Sequence, residues 1–210
     1  MSFLSIHNAI LGLENSAEFL HVLIYYETIN LAINFLKRLE SNTSLFELHL
    51  EYRDQGRFIH LKDNPDKLHD AISKMIKKNK FLKKIYFNAE IFSEIDFLEN
   101  FAIALEENET IKAIHFHSCQ FGIDECDFIC QTISKNARIT DFELSSDNFH
   151  TGHCEIFSTL MKQTKTMKYL NLENNKIVGE GFEILSRGLA ENKTLEILYL
   201  GYNIMREQGS

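Results

Sequence analysis

The sequence predicts an α/β solenoid in which short parallel strands alternate with helices, and three observations predict it. First, an apolar-x-x-apolar-x-apolar pattern occurs six times: Leu45/Leu48/Leu50, Leu82/Ile85/Phe87, Ile111/Ile114/Phe116, Ile139/Phe142/Leu144, Met167/Leu170/Leu172 and Leu195/Leu198/Leu200. Second, the first members of these triplets stand 37, 29, 28, 28 and 28 residues apart. Third, polar residues frame each triplet. Asn42, Asn79, Asn108, Asn136, Thr164 or Asn192 lies three residues before it, and Arg53, Glu90, Cys119, Asp147, Asn175 or Asn203 three residues after it. A fixed period of a few tens of residues is the mark of a repeat architecture.

Each repeat opens on a strand. The last two apolar members of a triplet are two residues apart, so they share one face, and the residue between them points to the opposite, solvent side. An apolar anchor follows at Phe92, Phe121, Phe149, Ile177 or Met205. A helix comes next. Its apolar stripe stands seven and three residues before the framing Asn: Phe35/Leu39, Ile72/Ile76, Phe101/Leu105, Ile129/Ile133, Phe157/Met161 and Leu185/Leu189. That i, i+4 spacing puts each pair on one helical face. The Asn is expected to end the helix as a left-handed C-terminal cap. A single strand–helix unit cannot cover its apolar face, whereas stacked units share one core. The expected architecture is a right-handed β-α superhelix, a horseshoe with parallel strands on its concave face and helices on its convex face.

The last full unit, LNLENNKIVGEGFEILSRGLAENKTLEILYLGYN, resembles the ribonuclease-inhibitor class of leucine-rich repeats. Asn175 and Asn203 match the asparagine ladder of that family, and Cys119 matches because the family admits Cys there. Arg53, Glu90 and Asp147 depart from it, so the resemblance implies a ladder broken or water-assisted at those turns. The resemblance covers roughly residues 30–205.

The expected organisation is a single leucine-rich-repeat domain over 1–210. Residues 1–29 form an N-terminal cap, in which Leu20, Leu23 and Tyr25 make a degenerate strand. Residues 30–205 hold about six repeats of 28–29 residues, with an insertion at 51–67. Within the insertion, Phe58–Leu61 alternates as a short extra strand would, and Asn64-Pro65-Asp66 reads as a helix start with Pro65 at the first helical position. After Leu200 the sequence GYNIMREQGS carries no further helical stripe. An uncovered final strand exposes core and unpaired edge, so three outcomes are expected: a fragment of a longer array, self-association through the C-terminal edge at 195–206, or a minimal cap formed by Ile204 and Met205 folding back, the first two being favoured.

Hydrophobic residues make up 44% and charged residues 25% of the chain, a globular composition. The net charge of -8 argues against nucleic acid or an anionic membrane as partner. No apolar run approaches the roughly 20 residues that span a bilayer. Residues 1–16 contain no Lys or Arg and no signal-peptide pattern. The cysteines, Cys119, Cys126, Cys130 and Cys154, follow no disulfide-scaffold spacing. A cytosolic protein, or one secreted into a host cell without a classical signal peptide, is expected.

No cofactor is implied and no metal site is assigned. His115, His117 and Glu143 would gather on one strand face, and imidazole with carboxylate suits zinc, but any solvated strand face collects such residues. His150 and His153 have ligand-like spacing at a loop–helix junction. No nucleophile–base–orienter order can be traced, so an enzyme is not expected. The run Lys74, Lys77, Lys78, Lys80, Lys83 and Lys84 reads as a solvated helix end that complements its own C-terminal dipole.

The concave columns are the candidate protein-binding surface: His49, Tyr86, His115, His117, Glu143, Tyr169, Asn171, Glu173 and Tyr199. Folding does not require Tyr and His to face solvent, and both are favoured in binding patches. Two readings stand. One is a module binding a protein partner through this face. Its repeat and its Phe-, Ile-, Lys- and Asn-rich composition resemble effectors that intracellular bacterial pathogens deliver to host cells. The other is a regulatory role, since this repeat class also occurs in GTPase-activating proteins, with Arg53 as the arginine in a loop after a strand.

Overall fold

The computed structural model describes residues 17–25, 28–53, 65–88, 92 and 94–203. They form two compact units, Met1–Ile111 and Lys112–Ser210. Unit 1 runs β1 (Phe19–Tyr25), α1 (Ile29–Leu39), β2 (Glu47–Arg53), α2 (Pro65–Lys78), β3 (Lys84–Asn88) and α3 (Ile95–Glu107). Unit 2 runs β4 (Ala113–His117), α4 (Ile123–Lys135), β5 (Asp141–Ser145), α5 (Thr151–Gln163), β6 (Tyr169–Asn171), α6 (Gly179–Glu191) and β7 (Ile197–Tyr199). In each unit, consecutive strands pair in parallel and the helices pack beside one another. The fold class is the strand–helix leucine-rich repeat that the period predicts.

The triplets set the register. Leu48 pairs with Ile85 and Leu50 with Phe87 in unit 1; Ile114 pairs with Phe142 and Phe116 with Leu144 in unit 2. The first five triplets are fully buried, whereas Leu195, Leu198 and Leu200 of the sixth are only half-buried. One backbone device recurs at the strand starts. The carbonyl of Phe46 accepts from the amides of Lys83 and Lys84, and those of Lys112, Thr140 and Lys168 accept likewise from the next repeat.

β1 corrects the reading of the N-terminal region. It is a regular repeat strand, with Leu20 opposite Leu48 and Val22 opposite Leu50. The Glu18 carbonyl accepts from the amides of Phe46 and Glu47, as in the later repeats. Its triplet is therefore Ala17/Leu20/Val22, three residues earlier than Leu20/Leu23/Tyr25. Ala17 in the first position hid the register. α2 begins at Pro65, as expected; Asn64, the segment Phe58–Leu61, the anchor Met205 and Glu90 lie outside the described residues.

The framing asparagines do not work as left-handed caps. Asn108, Asn136 and Asn192 are extended, with φ of -81°, -76° and -72°. Their side chains explain the choice of residue instead. Asn108 Oδ1 accepts from the amides of Thr110 and Ile111, both at 2.8 Å. Its Nδ2 donates to the carbonyls of Ile76 (2.7 Å) and Asn79 (3.0 Å) in the preceding repeat. Asn79 ties back to Leu39 and Asn42 in the same way. Thr164 lacks the amide donor, and Thr166 supplies it: its hydroxyl donates to the carbonyls of Asn136 and Ile139. At Asn79, Asn108 and Asn192 the side-chain amide thus bridges repeats and gives a carbonyl near the end of the preceding repeat's helix a donor.

The helical stripes are buried in every pair except Leu189, which is 42% exposed on α6. α5 and α6 approach closely at Gly188: a Cβ there would stand 2.6 Å from Ser158 Cα and 2.7 Å from its carbonyl oxygen. No described helix is long and apolar enough to cross a membrane.

Candidate protein-binding faces

Strand alternation places the candidate residues opposite the buried triplets, and register decides their neighbours. In unit 1, His21, His49 and Tyr86 stand in one row. The His49 ring stacks on Tyr86, with centroids 3.8 Å apart and planes 28° apart, and Phe19 meets it edge-on. His49 Nε2 lies 2.8 Å from Glu47 and His21 Nε2 lies 3.0 Å from Glu51. Glu51 also accepts from Arg53 Nε at 2.5 Å, and Lys84 approaches Glu47 at 3.9 Å. The carboxylates of this face thus have basic groups beside them. Arg53, the residue a GTPase-activating reading would use, is engaged with Glu51.

In unit 2, His115, Glu143, Asn171 and Tyr199 form the equivalent row. Glu143 is its hub. His115 Nδ1 is 3.3 Å away and the Ser145 hydroxyl donates to Glu143 Oε1 at 2.6 Å. Burial would raise the Glu143 carboxyl; the hydrogen bonds from His115, Ser145 and Asn171 overcome that and hold it below its ordinary value. Glu143 is therefore an anion at neutral pH. His117 Nδ1 sits 2.9 Å from the Ser145 hydroxyl oxygen. Because that hydroxyl gives its proton to Glu143, its oxygen accepts from His117. This order differs from that of an activated nucleophile, in which the hydroxyl would donate to the imidazole.

Not all the expected residues present themselves to a partner. Asn171 is buried, its Oδ1 accepting from the Glu173 amide at 2.8 Å, so it positions the face. The side chain of His115 is only 12% exposed. His117 is exposed, Tyr199 is 43% exposed, and Tyr169 and Glu173 are half-buried. Tyr169 packs against Tyr199 at 5.4 Å and lies parallel to His115 at 6.1 Å. Burial, then the charge of Glu143, raises the Tyr169 hydroxyl, so it remains a neutral donor.

Beside this row lies a cavity of about 360 Å³ lined by His117, Glu143, Ser145, Glu173, Asn174 and Tyr202, among others. Tyr202, 86% exposed with φ of 55°, belongs to the turn after β7. Turn residues escape strand parity, so no sequence signal marked it; Ser145 was within reach, since it follows Glu143 by two. Asp141, Glu143 and Glu173 form no ion pair with Lys or Arg among the described residues, in contrast to the unit 1 face.

The other clusters have local uses. His150 Nδ1 accepts from the Gly152 amide and His153 Nδ1 from the His150 amide, a capping box for α5. Burial and the neighbouring His150 push His153 down to about 4. All four cysteines are buried; burial pushes the Cys154 thiol up to about 11 and that of Cys126 well above its ordinary value, so both are protonated. Lys74, Lys77 and Lys78 pair with Asp70, Glu107 and Glu40.

No protein-family model matches the chain, and no curated protein matches it in sequence. Among solved structures, actin-binding site 2 of leiomodin-1 is similar, with a TM-score of 0.42 and 15% identity over 88% of this chain and 89% of that one.

Proposed function

We propose that the protein is a binding module whose strand faces dock a protein partner, the face of unit 2 taking a basic segment. One observation carries the reading. Three carboxylates, Asp141, Glu143 and Glu173, lie without Lys or Arg partners among the described residues, alongside the exposed rings of Tyr199 and Tyr202. Such a surface suits arginine or lysine side chains, which carboxylates neutralise and tyrosine faces attract. Strand residues held in register present these groups without ordering a loop, which lowers the cost of association. The finer reading is an effector acting on a host protein, so host-cell lysate is the first source of partners.

The test compares pull-downs from that lysate by quantitative mass spectrometry. A partner held by the wild type should be lost with Tyr199→Ala and Glu173→Gln and weakened by Tyr86→Ala, with circular dichroism unchanged. It should persist with Lys77→Ala/Lys78→Ala on the helices. Loss with the helix variants alone would move the site to the other side of the molecule.

The half-buried Leu195, Leu198 and Leu200 and the exposed Ile197 support self-association through the β7 edge as a second contact. Sedimentation velocity across a concentration series should show a dimer growing in. A single monomer boundary up to millimolar concentration excludes it.

A further inference from the structure

The turns after β5, β6 and β7 repeat one arrangement with one altered residue. Asn175 Oδ1 accepts from the amides of Asp147 (2.9 Å) and Phe149 (3.3 Å). Its Nδ2 donates to the carbonyls of Leu144, Leu172 and Glu173, which lie 31, 3 and 2 residues earlier. Asn203 donates at the same offsets, to Leu172, Leu200 and Gly201. Asp147 takes the equivalent place one repeat earlier and is buried. Its carboxyl group still accepts, though from shifted donors: Oδ1 receives the Gln120 amide at 2.5 Å, 27 residues earlier, and the group also accepts from the Cys119 amide. Its Oδ2 is buried without a hydrogen-bond partner. By the offsets of Asn175 and Asn203, an asparagine at this position would aim its amide N–H groups at the carbonyls of Phe116, Leu144 and Ser145. A carboxylate oxygen only accepts and would repel them; a protonated carboxyl donates.

We propose that Asp147 serves in this ladder as a neutral carboxylic acid, its single Oδ2–H donating to one of those carbonyls, and that loss of the proton unlatches the turn after β4. That turn needs a latch. Ser118 and Gln120 are both left-handed, with φ of 53° and 57°, a costly conformation for residues with side chains. Asp147 pins the two amides between and beside them.

The surroundings favour the proton. Burial lifts the Asp147 carboxyl from 3.8 to about 7, the backbone donors of Gln120 and Cys119 pull it down, and the charge of Glu143 pushes it further up. The titratable groups facing it are Glu143 on β5 and the protonated Cys126 thiol on α4. Asn175, across the next turn, is neutral, and no Lys, Arg or His pairs with Asp147 among the described residues. Between pH 4 and 7 the folded protein keeps a proton that the unfolded chain loses. Stability from this group is therefore complete below about pH 4, falls as pH rises to about 7, and is flat above.

The experiment compares wild type with Asp147→Asn, which restores the amide donor at every pH. Urea unfolding from pH 4 to pH 8.5 should show the wild-type unfolding constant rising about a thousandfold relative to the variant, three pH units at tenfold each. In wild type, exchange of the Cys119 and Gln120 amides, corrected for intrinsic pH dependence, should accelerate near pH 7; in the variant it should not. A ratio independent of pH overturns the proposal. So does a wild-type Asp147 carboxyl carbon that titrates near pH 4 by NMR, a readout that holds even where the variant fails to fold.

Discussion

Phe116→Ala should lower the unfolding free energy of the protein by about 3–5 kcal/mol, as for large-to-small changes of a packed aromatic. Phe116 is fully buried, pairs in register with Leu144 and meets Phe121 edge-on at 5.1 Å. Strands of five residues leave little slack for a cavity to collapse, so the upper half of the range is expected. His115→Ala, one residue away, should cost about 1–2 kcal/mol. That exceeds what an open strand face would predict, because His115 is mostly covered and its donor helps hold Glu143 as an anion. Urea midpoints fitted with a common slope measure both. Equal midpoints would mean that the two side chains do not lie on opposite sides of β4.

The contrast between these neighbours marks how far the sequence could be read. Strand parity assigns Phe116 to the core and His115 to the other face, and both assignments hold. Parity says nothing about how deeply a facing residue sinks between long neighbours. His115 beside Tyr169 and Glu143, or Asn171 beside Tyr199, ends up covered because the adjacent side chains are large. The period located six strands because their first apolar members are Leu, Ile or Met. β1 was mis-registered because Ala17 holds that place, though its pairing is as regular as the rest. Asp147 stood out in the sequence as a departure from the ladder. Only the burial of its Oδ2 without a hydrogen-bond partner sets it apart from Asn175, and that could not be read from the sequence.

The framing asparagines were legible in position and misread in purpose. Asparagine at a helix end suggests local backbone geometry, and Oδ1 of Asn108 does bond locally, but the partners of its Nδ2 lie about thirty residues away, a distance no local rule covers. Asn108→Ala measures what that bridge is worth. The substitution removes the bonds from Nδ2 to the carbonyls of Ile76 and Asn79, those to Oδ1 from the amides of Thr110 and Ile111, and a longer one to Oδ1 from the Thr110 hydroxyl. Asn108 is buried, so water can reach these groups only by opening the turn. A buried group left unpaired costs about 1–3 kcal/mol, and partial hydration offsets some of the total, so a loss of about 2–4 kcal/mol is expected. Asn192→Ala removes the equivalent contacts to Met161, Thr194 and Leu195 at a half-buried site, where water can replace them. Its loss should stay near 1 kcal/mol. Asn108→Ala should also expose the Thr110 and Ile111 amides to fast hydrogen exchange while exchange in unit 2 is unchanged. Equal losses for the two variants, or Ile111 protection that survives Asn108→Ala, would show that the side-chain bridge does not hold the repeats together.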